Sequence, residues 1–106
     1  MIKYMLWKIK PNKRVAWEEW CKLVMTIHKK EAIETIIEED LIRESCFIIG
    51  GEYVLYMHET VEGKEKKPAN MSRELNKKHF EVLHDCLERV SNVTLIGYDL
   101  KAQDNK

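Results

Sequence analysis

The chain has 106 residues, 44% hydrophobic and 34% charged: the length of one domain and the composition of an ordinary globular protein, outside the disordered and membrane classes. Eighteen basic and eighteen acidic side chains cancel, so no net field draws in the phosphates of a nucleic acid or an anionic membrane. The short basic patches around Lys29, Lys64 and Lys77 are interrupted or flanked by Glu31, Glu65 and Glu81, and read as solvated surface.

Residues 2–10 are short, aromatic and branched, and Pro11-Asn12 ends them as a strand meets a helix cap. Residues 13–39 contain no Gly or Pro and predict a long helix closed by Asp40. On a helical wheel Trp17, Trp20, Leu23, Val24 and Ile27 share one face, whereas Ile33, Ile36 and Ile37 lie roughly opposite. That switch predicts a break or bend near His28 to Glu31. Residues 41–49 and 52–60 are two strands joined by Gly50-Gly51, whose positive φ suits a tight hairpin turn. Residues 61–69 are charged, contain Gly63 and Pro68, and predict an exposed connection. From Asn70 or Ser72 to Val90 apolar residues recur at helical spacing, residues 93–100 predict a last strand, and residues 101–106 a polar tail.

The expected fold is therefore α+β: one ferredoxin-like βαββαβ domain over residues 1–100, with both helices on one face of a four-stranded antiparallel sheet. In the first strand Ile2, Tyr4 and Leu6 point one way and Met5, Trp7 and Ile9 the other, so both sheet faces are apolar. Helices cover one of them. An apolar face of that size is usually an interface, which predicts a homodimer closed as a dimeric α/β barrel.

Cys21, Cys46 and Cys86 are far apart and include no Cys-x-x-Cys pair, which predicts reduced thiols in a cytoplasmic protein. Neither a long apolar segment nor a small-residue cleavage site opens the chain, so no membrane association is expected.

The candidate catalytic residues are His79, His28, Glu31 and Glu44. His79 falls in the apolar stripe of the second helix, where a buried imidazole serves as a general base or as a hydrogen-bonded core residue. In a continuous first helix the stripe would run on from Ile27 into His28, Glu31, Thr35 and Glu38, and a His and a carboxylate three apart can share a proton. Alternatively this end leaves the core and is solvated. Tyr56 and His58 share one face of their strand, as do Glu44 and Cys46, and either set could orient a ligand in a mainly apolar cavity. Thr35, Tyr56 and His58 are the expected ligand contacts. No phosphate-binding glycine loop, zinc-protease helix or serine-nucleophile elbow is present, so no cofactor or metal is expected.

Lys10-Pro11, Trp17-Glu18-Glu19-Trp20, Glu31-Ala32 with Thr35, and Glu44-Ser45-Cys46-Phe47 together resemble an uncharacterised bacterial family of short dimeric α/β-barrel proteins, a domain of unknown function. The resemblance runs from the first strand through His79 to Tyr98-Asp99-Leu100; residues 70–78 depart from that family's small and acidic pattern. It implies the fold and the dimer, and carries no activity. Two functions fit: binding or transforming a small molecule in a pocket between sheet and helices, or a non-enzymatic dimeric structural or interaction module.

Overall fold

The computed structural model describes residues 1–91, 98 and 100–104. The fold is mixed α+β. Its elements are β1 (Ile2–Ile9), α1 (Arg14–Met25), α2 (Lys29–Glu38), β2 (Leu41–Ile49), β3 (Tyr53–Thr60), α3 (Glu74–Cys86) and β4 (Leu87–Ser91), with a 3-10 turn at Ala102–Asp104. The strands form one sheet in the order β2-β3-β1-β4, with every neighbouring pair antiparallel.

The helical stretch breaks at Thr26 to His28, which gives α1 and α2. The Thr26 hydroxyl donates to the Lys22 carbonyl at 2.6 Å, a back-bond that competes with the helical ladder. The His28 N–H then reaches back to the Leu23 carbonyl at 3.0 Å. At the other end of α2, Asp40 takes a left-handed conformation, φ 59°, which turns the chain directly into β2. The β2–β3 hairpin turns where its glycines predict, at φ 60° and 71°, with the Glu52 N–H donating to the Ile49 carbonyl at 3.2 Å.

Two boundaries differ from the sequence expectation. Helix α3 starts at Glu74, because Asn70 organises a turn ahead of it: its side-chain oxygen accepts from the Ser72 N–H at 3.0 Å and from the Ser72 hydroxyl at 2.6 Å. It ends at Cys86 instead of Val90. The next residues pair with β1, Leu87 opposite Ile9 and Arg89 opposite Trp7, so the vacant edge of β1 overrides the helical propensity of Leu87 and Glu88. The strand expected at residues 93–100 lies largely outside the described residues.

Register sorts the side chains. One face carries the cross-strand rows Glu44–His58–Lys3, Cys46–Tyr56–Met5 and Ile48–Val54–Trp7. Both polar sets of the hairpin thus share a face. Trp7, Ile9, Val54 and Tyr56 there pack with Trp17 and Trp20 of α1, Leu75, Leu83 and Cys86 of α3, and Leu87, to form the core. The opposite face carries the rows Ser45–Met57–Tyr4, Phe47–Leu55–Leu6 and Ile49–Tyr53–Lys8. On it Ile2, Tyr4, Phe47 and Ile49 are exposed.

Candidate functional site

Helices α1 and α2 meet the sheet differently, and a site arises from that difference. Trp17 and Trp20 of α1 are buried, whereas α2 and its C-cap turn Thr35 and Glu39 inward and leave Ile33 and Ile37 outside. Inward polar side chains one turn apart favour a space that admits water or a polar partner over dry apolar packing. Between α2, α3 and the sheet a cavity of about 1060 Å³ remains, with Trp20, Thr35, Glu44, Tyr56, His58 and His79 among its lining.

The sheet floor of this cavity carries a carboxylate–imidazole pair. Glu44 and His58 are cross-strand neighbours on β2 and β3, and Glu44 Oε1 lies 2.9 Å from His58 Nε2. Burial pushes the Glu44 carboxyl up, but the His58 hydrogen bond and charge, with smaller help from His79 and Lys66, outweigh it and hold the group below its ordinary range. An imidazole paired with a carboxylate through one nitrogen keeps its second nitrogen for proton exchange.

The opposite wall brings His79 from α3. The Trp20 indole N–H donates to His79 Nδ1 at 3.0 Å, and His79 Nε2 lies 3.4 Å from the Tyr56 hydroxyl. Burial lowers the pKa of His79; Glu44 opposes the shift and His58 adds to it. Burial also raises the Tyr56 phenol far above its ordinary value, and neighbouring Cys46 and Glu44 add to the effect. Both groups are therefore neutral near pH 7. Behind Tyr56, the thiol of Cys46 is pushed up by its contact with Cys21 and by burial, and the same contact pulls Cys21 down.

The charged connection of residues 61–69 forms part of the rim. Lys66 Nζ lies 2.7 Å from Glu39 Oε1, and Lys64 and Lys67 approach the Asp40 carboxylate at 3.8 and 3.2 Å. Two backbone bonds tie it as well, from the Lys67 N–H to the Glu39 carbonyl at 3.0 Å and from the Val61 N–H to the Asp40 carbonyl at 2.9 Å. Lys66 and Ala69 reach the cavity lining.

Of the residues singled out in the sequence, Thr35, Glu44, Tyr56, His58 and His79 converge on this cavity. His28 and Glu31 do not line it. The His28 ring packs at 5.7 Å from that of Trp20, supporting the wall from behind. Glu31 lies 3.9 Å from Arg73, which also takes Glu38 in a two-pronged contact at 2.9 and 3.0 Å and so pins α2 to the entrance of α3. Sequence reading missed Asn76, Glu39 and Lys66 in the lining, and the Trp20 N–H as a donor. Two of these carry a visible signal: Asn76, His79 and Leu83 follow helical spacing, as do Thr35 and Glu39.

Among the described residues, no group of three or more His, Cys, Asp or Glu side chains could hold a metal ion, and no helix is long and apolar enough to cross a membrane. No curated protein and no solved structure matches the chain. A family model does match, over residues 2–102, in agreement with the resemblance to an uncharacterised family. The chain belongs to DUF6176, a family of unknown function.

Proposed function

We propose that this domain binds a small, largely apolar molecule in the cavity between sheet and helices, and that the Glu44–His58 pair exchanges a proton with it. One observation carries the reading: a cavity of about 1060 Å³ has this carboxylate–imidazole pair among its otherwise mainly apolar lining. Paired titratable groups facing a roomy, mainly apolar pocket are candidates for acid–base chemistry. His58 acts as the proton-exchanging group, Glu44 orients it, and Thr35 supplies a polar contact.

A second observation supports self-association. Ile2, Tyr4, Phe47 and Ile49 expose apolar surface on the face of the sheet away from the helices, and a second copy presenting the same face would cover it, closing the barrel. Free cysteines at positions 21, 46 and 86 suit a reducing cytoplasm.

Native mass spectrometry of gently purified protein tests both parts together. A dimer that carries one small molecule per chain, held less tightly when Ala32→Leu narrows the cavity, is the expected result. A dimer that captures nothing, from the cell or from a panel of apolar carbonyl compounds, would favour the non-enzymatic interaction module. A monomer would overturn the pairing.

A further inference from the structure

An indole N–H can only donate a hydrogen bond. Trp20 Nε1 sits 3.0 Å from His79 Nδ1, so Nδ1 is the nitrogen with the lone pair and the ring proton resides on Nε2. A second ring proton would set N–H against N–H inside a largely buried contact, so Trp20 opposes the imidazolium. Groups around the ring come from several elements: Trp20 from α1, Glu44 from β2, Tyr56 and His58 from β3, and Phe80 from α3 itself. Lys3 of β1 shares the row of Glu44 and His58 and also lines the cavity. Of these, Glu44 alone favours a charged His79, and its carboxylate is already engaged by His58 at 2.9 Å.

The Nε2–H meets Tyr56 at 3.4 Å, beyond the optimum for a strong bond. A donor held that loosely is available for sharing. An oxygen entering the cavity can accept from Nε2–H and from the phenolic O–H together, whereas an ammonium finds no lone pair on the imidazole. Resting on the cavity as the binding site, we infer that Trp20 fixes His79 in its Nε2–H tautomer and that His79 and Tyr56 together receive a carbonyl oxygen of an apolar ligand. Trp20, Phe80, Leu75 and Leu83 supply walls for the ligand's apolar body. Trp20 is on this account a positioning residue, and the ligand class is an apolar ketone, aldehyde or ester.

Imidazole nitrogen spectra of the ¹⁵N-labelled protein test the tautomer without any ligand. The expected result is a His79 protonated at Nε2 alone in its neutral form and charging only below the ordinary imidazole range, whereas in Trp20→Phe it titrates at higher pH than in the wild type. A wild-type His79 protonated at Nδ1, or charging at or above the ordinary imidazole range, would overturn the assignment. The probes 2-acetylnaphthalene and naphthalene then test the ligand class by fluorescence titration. The ketone should bind about 3–10-fold more tightly, the gain of one net hydrogen bond, and Tyr56→Phe and His79→Asn should reduce that preference. Equal binding of the two probes overturns the ligand class while leaving the tautomer standing. Failure of both to bind overturns the cavity reading itself.

Discussion

Helices α1 and α2 come from one helical stretch interrupted only at Thr26 to His28, yet they meet the sheet with opposite kinds of side chain. In α1 the inward residues are Trp17, 1% exposed, and Trp20, 5% exposed; in α2 and its C-cap they are Thr35 and Glu39, while Ile37 is 65% exposed. The first helix builds a filled core and the second roofs a space. Where a chain places its polar residues, and not only its apolar ones, decides which half of a small domain is scaffold and which is site.

The largest expected effect breaks the scaffold half. Trp17→Ala should destabilise by about 3–5 kcal/mol, read as a fall in the urea midpoint, because Trp17 is buried beneath Tyr56 with the rings at 6.3 Å. Trp17→Phe should be far milder. The Trp17 indole N–H makes no well-formed hydrogen bond among the described residues, the Cys46 sulfur being at most a weak acceptor for it, so that change removes a poorly satisfied donor along with some packing.

Acid should sharpen the comparison, since its less exposed targets lie in the site half, whereas the carboxyls of Glu38 and Asp85, lowered by Arg73 and Lys13, are screened by solvent. His79 and Glu44 both have pKa values lowered in the fold, from ordinary values of 6.5 and 4.5. The unfolded chain therefore binds more protons on acidification, and stability falls with pH. The contribution of His79 is complete above about pH 6.5 and declines below it; that of Glu44 is complete above about pH 4.5 and is lost below that. Urea midpoints measured from pH 8 to pH 4 should decline in these two windows, and His58→Gln should weaken the lower one.

Smaller changes test the rim. Glu39→Gln should cost about 1 kcal/mol, because the Lys66 partner is partly solvated, and should speed amide exchange in residues 61–69. Ala32→Leu should shift stability by no more than about 1 kcal/mol while weakening probe binding, as expected where three added carbons enter a void and not a packed core. Arg73→Ala, at an exposed ion cluster, should have the smallest effect on the melting temperature, confined in hydrogen exchange to α2 and the start of α3.

The hairpin and the helix break were legible in the sequence because each rests on a local requirement: positive φ at Gly50 and Gly51, and a change in apolar phase past Ile27. The end of α3 was not, since Leu87 to Val90 suits a helix locally and becomes a strand only because β1 has an edge to pair. Five of the cavity-lining residues were singled out from alternation and helical phase, Thr35 among them on the premise of a continuous helix that is in fact broken. The Trp20–His79 bond joins residues 59 apart in sequence, and the Lys66–Glu39 pair looks like two solvated charges until the fold brings them together. Such pairings have no local signature. Ile27 failed in the other direction: on a wheel it belongs with Trp20, but within the break it is exposed.

No residue separates Cys86, the last of α3, from Leu87, the first of β4. The joint is held from outside by the segment after β1: the Lys10 N–H donates to the Cys86 carbonyl at 2.8 Å, Lys10 Nζ to the His84 carbonyl at 2.7 Å, and Lys13 pairs with Asp85 at 2.9 Å. With no slack, one residue inserted here would exchange the places of Leu87 and Glu88 and carry the charge into the core. For anyone grafting a label or an affinity handle onto this domain, the seam between α3 and β4 is the place to avoid. The tip of the hairpin at Gly50, with open space around it, is the place to choose.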